Sequence, residues 1–179
     1  MEQGFLVSKR ISQPAATEHS ECGFLRRRAL EICNQALGLH TKGLTAKAIP
    51  IYSKSIRLMP TAEAHASLGW AYSAHHRYDL AIRECEKAIA VDPEYGNSYN
   101  DIGSYLVSQG KLESSIEWFE KAKQATRYDS RYFPYMNLGR VYQAKGMYLR
   151  AIHEFQKALQ FEPGEESCLA AVKELRAKV

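Results

Sequence analysis

The stretches Ser67-Leu68-Gly69-Trp70-Ala71-Tyr72, Asp101-Ile102-Gly103-Ser104-Tyr105-Leu106 and Asn137-Leu138-Gly139-Arg140-Val141-Tyr142 are three copies of one short pattern. Their glycines stand 34 and 36 residues apart. At a fixed distance after each glycine come a small residue, a large residue or its stand-in, and a second small residue. These are Ala81, Cys85 and Ala88, then Ser115, Phe119 and Ala122, then Ala151, Phe155 and Ala158. A period of about 34 residues marks a solenoid, whose units bury their apolar faces only by stacking on their neighbours. Within each period apolar residues recur at spacings of three and four, the mark of one buried helical stripe.

With the glycine set at repeat position 8, units begin at Ala62, Gly96 and Tyr132, and Pro93 and Pro163 fall at position 32. A more divergent unit starts near Ala29, with Ala36 in place of the glycine, then Gly43, Ala48, Tyr52, Ser55 and Pro60. Position 21 is isoleucine in every unit: Ile49, Ile82, Ile116 and Ile152. This arrangement resembles the tetratricopeptide repeat family, in which small and aromatic residues hold fixed places on a helix-turn-helix closed by a proline. The resemblance implies an all-α, right-handed α-solenoid of four helix-turn-helix repeats over residues 29–61, 62–95, 96–131 and 132–165. Helices are expected near 28–41, 45–58, 62–75, 78–91, 96–109, 112–125, 132–145 and 148–161.

Small residues at positions 8, 20 and 27 let two helix backbones approach, and the large residue at position 24 fills the space around them. On this reading Ile116 should be fully buried. Gly43, Gly110 and Gly146 follow the first helix of their units, where a left-handed residue ends a helix. Thr61 is placed to cap the helix after Pro60. Residues 1–27 read as a flexible N-terminal tail leading into a helix, and 28–179 as the repeat domain. In the last segment Leu169, Val172 and Leu175 share a face, as a C-terminal capping helix over 165–179 requires. The same segment would also suit the first helix of a further repeat.

The connection Arg127-Tyr128-Asp129-Ser130-Arg131-Tyr132-Phe133-Pro134 exceeds the period by two residues. It carries three aromatics and two arginines. It is a contact site, a local bend, or a stretch whose tyrosines plug the gap between units.

Net charge is +4, divided as +5 over residues 1–61 and −1 over the rest. The basic run Arg26-Arg27-Arg28 suits either a solvated helix face or an acidic partner. No apolar run approaches the ~18 residues of a membrane span, and the N-terminus lacks the apolar core of a secretory signal. A cytoplasmic protein is therefore expected. Cys22, Cys33, Cys85 and Cys168 form no CxxC, and reduced thiols are expected. The adjacent His75 and His76 lack metal-ligand spacing, and no metal or cofactor is expected. No nucleophile, phosphate-binding or zinc motif is present, so the chain is not expected to be an enzyme. Acids stand among the bases in the columns that face a groove, which argues against nucleic acid.

In the family it resembles, the first helices line a concave groove. Position 6 is then Asn34, Ser67, Asp101 and Asn137, and position 9 is Leu37, Trp70, Ser104 and Arg140. Position 5 is Cys33, Ala66, Asn100 and Met136, and position 2 is Leu30, Glu63, Asn97 and Phe133. Members that grip acidic chaperone tails use basic groove residues. Cys33, Leu37, Ser67, Asn97 and Asp101 hold those places here, so that ligand is disfavoured. The expected site comprises Asn34, Ser67, Asn100, Asp101, Asn137 and Arg140 as polar contacts, with Trp70 and Phe133 as apolar anchors. The expected ligand is an extended peptide or partner segment, bound by an adaptor or scaffold. A small secretion-type chaperone and a self-assembling structural homo-oligomer are the alternatives.

Overall fold

A computed structural model describes residues 21–128 and 130–179. They form helices joined by short turns, in the order α1 Glu21–His40, α2 Thr45–Leu58, α3 Ala62–Ser73, α4 Tyr78–Val91, α5 Gly96–Ser108, α6 Leu112–Gln124, α7 Tyr132–Ala144, α8 Tyr148–Phe161 and α9 Glu166–Arg176. Most of the expected tail lies outside the described residues, and α1 is already helical at Glu21.

Each odd-numbered helix packs against the even-numbered helix that follows it, and each even-numbered helix packs against the next odd one. The first helices α1, α3, α5 and α7 also touch along their own row, whereas the second helices diverge. The chain is thus an all-α solenoid of four helix-turn-helix units whose first helices form the inner, concave row.

The repeat columns set this packing. Ala48, Ala81, Ser115 and Ala151 at position 20 are wholly buried, as are Tyr52, Cys85, Phe119 and Phe155 at position 24. A Cβ on Gly103 would stand 2.6 Å from the Phe119 ring, and one on Gly139 would stand 2.8 Å from Phe155. These glycines are the floor on which the aromatic rings lie. The expected full burial of Ile116 is corrected. Ile49, Ile82 and Ile116 are only partly buried, each against the edge of a core cluster. Position 21 lies about 100° around the helix from position 20, which turns it from the unit's interior to the seam between units.

Gly43, Gly110 and Gly146 have φ of 76°, 76° and 72°, the left-handed region expected of helix-ending glycines. His76 stands at the same turn of the second unit with φ 56°. The Thr61 hydroxyl accepts from the Ala64 backbone N–H at 3.2 Å and caps α3. Pro134, third in α7, sits in the first turn, where its missing N–H interrupts no helical bond. The far end is closed by α9, which buries Cys168 and Leu175 against Tyr132, Met136 and Phe155.

Candidate functional site

The concave row carries two kinds of polar feature, and the first is a ladder. Asn137 Nδ2 donates to Asn100 Oδ1 at 3.0 Å, joining α7 to α5. The Cys33 thiol stands 3.9 Å from Ser67 Oγ as donor, joining α1 to α3. Both rungs run from position 5 of one first helix to position 6 of the next. The corresponding middle pair is Ala66 and Asp101, and a methyl group forms no rung. Asp101 is partly buried, and among the described residues nothing hydrogen-bonds or pairs with its carboxylate. Burial pushes that carboxyl up from its usual 3.8 to about 7.

The second feature is a strap made by the long connection after α6. Backbone Arg127 N–H donates to the Glu94 carbonyl at 3.0 Å, and Gly96 N–H donates to the Arg127 carbonyl at 3.1 Å. Glu94 accepts from both the N–H and the hydroxyl of Thr126. These bonds hold the strap beside the α4–α5 turn. From it the Arg127 guanidinium reaches Glu63 Oε1 on α3 and Asp92 Oδ2, both at 2.7 Å, and lies over the Tyr95 ring at 4.5 Å. The desolvation that opposes the guanidinium charge is outweighed by these carboxylates, so its pKa is raised. Tyr128 is buried beside Gly96, where an added Cβ would meet it at 2.6 Å. Of the readings open for this connection, gap-filling accounts for Tyr128 and Tyr132, both buried.

The remaining expected residues are spread along the row. Asn34 is exposed on α1. The partly buried Trp70 lies on the His40 ring with centroids 3.8 Å apart. His40 is buried, and its imidazole is driven down to about 4, first by burial and then by the nearby His75. Phe133 stacks on Tyr132 at 4.2 Å and joins the cluster under α9. Exposed Arg140 places Nη2 3.5 Å from Ser167 Oγ. Asn100 and Asn137 thus meet each other, whereas Trp70 lies two units from Phe133. His40 and the partnership of Arg127 with Glu63 were missed from the sequence. The signal for the strap was the insertion itself, which broke the period beside an arginine and a tyrosine.

Among the described residues no helix is long and apolar enough to cross a membrane. Cys33, Cys85 and Cys168 are buried free thiols, and burial raises the pKa of each.

Tetratricopeptide repeat profiles match residues 66–130 and 132–165. With the helix-turn-helix units and their columns in place, the chain belongs to the tetratricopeptide repeat family. It is 36% identical over 75 residues to the small glutamine-rich tetratricopeptide repeat-containing protein 2 of Saccharomyces cerevisiae, covering 41% of this chain and 22% of that protein. It is 28% identical over 143 residues to the type IV pilus assembly protein PilF of Pseudomonas aeruginosa, covering 79% of this chain and 57% of that one. The chain therefore spans between about a fifth and somewhat over half of these relatives' lengths. The solved structure of P. aeruginosa PilF superposes with a TM-score of 0.80 at 26% identity, over 89% of this chain and 71% of that one. MamA shares the fold, with a TM-score of 0.68 at 22% identity over 80% of this chain and 83% of that one. As a tetratricopeptide repeat chain the protein is of a kind built for protein–protein interaction.

Proposed function

We propose that the protein is a cytoplasmic adaptor or assembly factor that holds an extended segment of a protein partner along the row α1, α3, α5 and α7. The observation that carries this reading is a polar residue at position 6 of every unit, Asn34, Ser67, Asp101 and Asn137, at one-unit intervals. An extended backbone needs donors and acceptors at regular steps, and each one left unmet on burial costs about 1–3 kcal/mol. Asn34 and Asp101 have no partner among the described residues, and Asn137 keeps its carbonyl oxygen after bonding Asn100. Trp70 and Phe133 supply apolar surface toward the two ends of the row. The likeness to PilF, an assembly protein, supports the assembly role. YrrB, described as having an unusual peptide-binding site, shares the fold.

The test is co-purification from the native source, followed by hydrogen exchange on the complex. Protection confined to α1, α3, α5 and α7, and capture weakened about 5- to 100-fold by Asn34→Ala with Asn137→Ala, are the expected results. Protection confined to the convex side around Ile51 and Trp118, with capture unchanged, overturns the reading.

A second reading is self-association through the C-terminal end. It is favoured by Leu149 at 72%, Leu169 at 50% and Phe161 at 48% exposure near the α8–α9 end. Light scattering across a concentration series separates the two readings.

A further inference from the structure

The ladder has a rule and one exception. Position 5 of a first helix meets position 6 of the next in Cys33–Ser67 and in Asn100–Asn137. Between them Ala66 offers Asp101 nothing. A position-6 carboxylate in the middle of the row is thus left to whatever lies in the groove.

The surroundings of Asp101 supply no counter-charge. The groups whose fields couple to it are Tyr95 at the α4–α5 turn, Tyr105 on α5, Tyr128 on the strap and Cys85 on α4. All four are held protonated at neutral pH by burial. The residue opposite it in the rung register on α3 is the small, buried Ala66, and on α7 the rung residue is the neutral Asn137. Of the arginines on the concave side, Arg127 is already held by Glu63 and Asp92, and Arg140 stands beside Ser167. Glu63 adds negative character to the same face, since its Oε2 is buried without a partner among the described residues. A carboxylate with poor access to water and no cation of its own favours a charged donor over a neutral one, because such bonds are roughly twice as strong.

We propose that Asp101, opposite Ala66, receives an arginine or lysine side chain of the extended segment, so that the groove selects a segment with a basic residue at the third unit. This rests on the groove reading above, and it names the chemistry the groove selects. The partly buried Tyr95 would lie beside the incoming stem. The charged form of Asp101, disfavoured in the free protein, becomes favoured once the cation arrives. Binding therefore releases a proton near neutral pH and tightens as pH rises through about 7.

The test is an NMR titration of the full chain with two probes. One is a nonapeptide of alternating alanine and serine with a single central arginine. The other is identical except for citrulline, which keeps the shape and lacks the charge. The arginine peptide should move the Ala66, Asn100 and Asp101 amides and lower the titration midpoint of the Asp101 carboxyl. The citrulline peptide should bind about tenfold more weakly and leave that midpoint in place. Asp101→Asn should reduce the arginine peptide to the citrulline level. So should Ala66→Asn, which supplies the missing rung and leaves the carboxylate intact. Equal binding of both peptides along the concave row overturns the basic-residue proposal and leaves the groove reading standing. An arginine response that survives Asp101→Asn also overturns it. Movement of convex amides alone, or of none, removes the groove reading with it.

Discussion

Arg127 Nη1 lies 2.7 Å from Glu63 Oε1, so that the connection after the third unit grips the first helix of the second. Glu63 is only 4% exposed, while the arginine is far more open to water. The pair's value lies in what its loss leaves behind, which is a buried carboxylate without a partner. Arg127→Ala should destabilise the fold by about 1–3 kcal/mol. Adding Glu63→Gln should recover part of the loss. Urea unfolding of the two single variants and the double variant measures the coupling, and strictly additive effects would show that the contact contributes nothing.

Gly103 lies against the Phe119 ring with no room for a methyl group. Gly103→Ala should therefore cost about 1–3 kcal/mol by overpacking. Because the clash is with that ring, Phe119→Leu should cost less in the Gly103→Ala background than alone. Thermal unfolding reads the difference, and an unchanged melting temperature in Gly103→Ala would break the link between the column and the close approach.

His76 holds a left-handed backbone at the turn where the other units use glycine. A β-carbon there costs roughly 1–2 kcal/mol. His76→Gly should then stabilise the protein by about 1 kcal/mol, net of glycine's larger entropy loss. Gly110→Ala should destabilise it by a similar amount. Paired denaturation curves check both directions.

Two groups on the concave side bend the pH profile in opposite senses. Asp101 titrates at about 7 when folded and near 3.8 ordinarily. The folded chain keeps a proton that the unfolded chain has lost, so this contribution to stability is complete below about pH 4 and is lost as pH rises through 7. His40 is depressed from 6.5 to about 4, so its contribution is complete above 6.5 and is lost as pH falls through 4. Relative to the parent, Asp101→Asn should gain stability as pH rises, and His40→Gln should lose it. Chemical denaturation across the range between the two folded values tests both signs, and parallel profiles for parent and variants would refute them.

The columns carried most of this fold in the sequence. Gly103 with Phe119, and Gly139 with Phe155, are periodic, so their spacing announces the helix pairs and their boundaries nearly to the residue. Ile116 was misjudged because periodicity gives the face of a helix more sharply than it gives depth. The concave row was legible as a list of positions. Its pairings were not, since whether Asn137 meets Asn100 depends on the rise between units, which no single column records. Arg127 was the hardest to place, because it sits in the aperiodic insertion and finds Glu63 some 64 residues away.

A solenoid is mechanically a spring, with each coil free to flex against the next. The strap from Thr126 to Tyr128 ties one coil to the coil behind it and fixes the pitch there. Stretching or twisting the spring is then shared among the outer coils, where α1 and α9 lie, while the stretch of groove floor holding Ala66 and Asp101 keeps its curvature. A segment bound there as proposed would meet a floor whose curvature the strap already holds, so that little of its binding energy would go into bending the host.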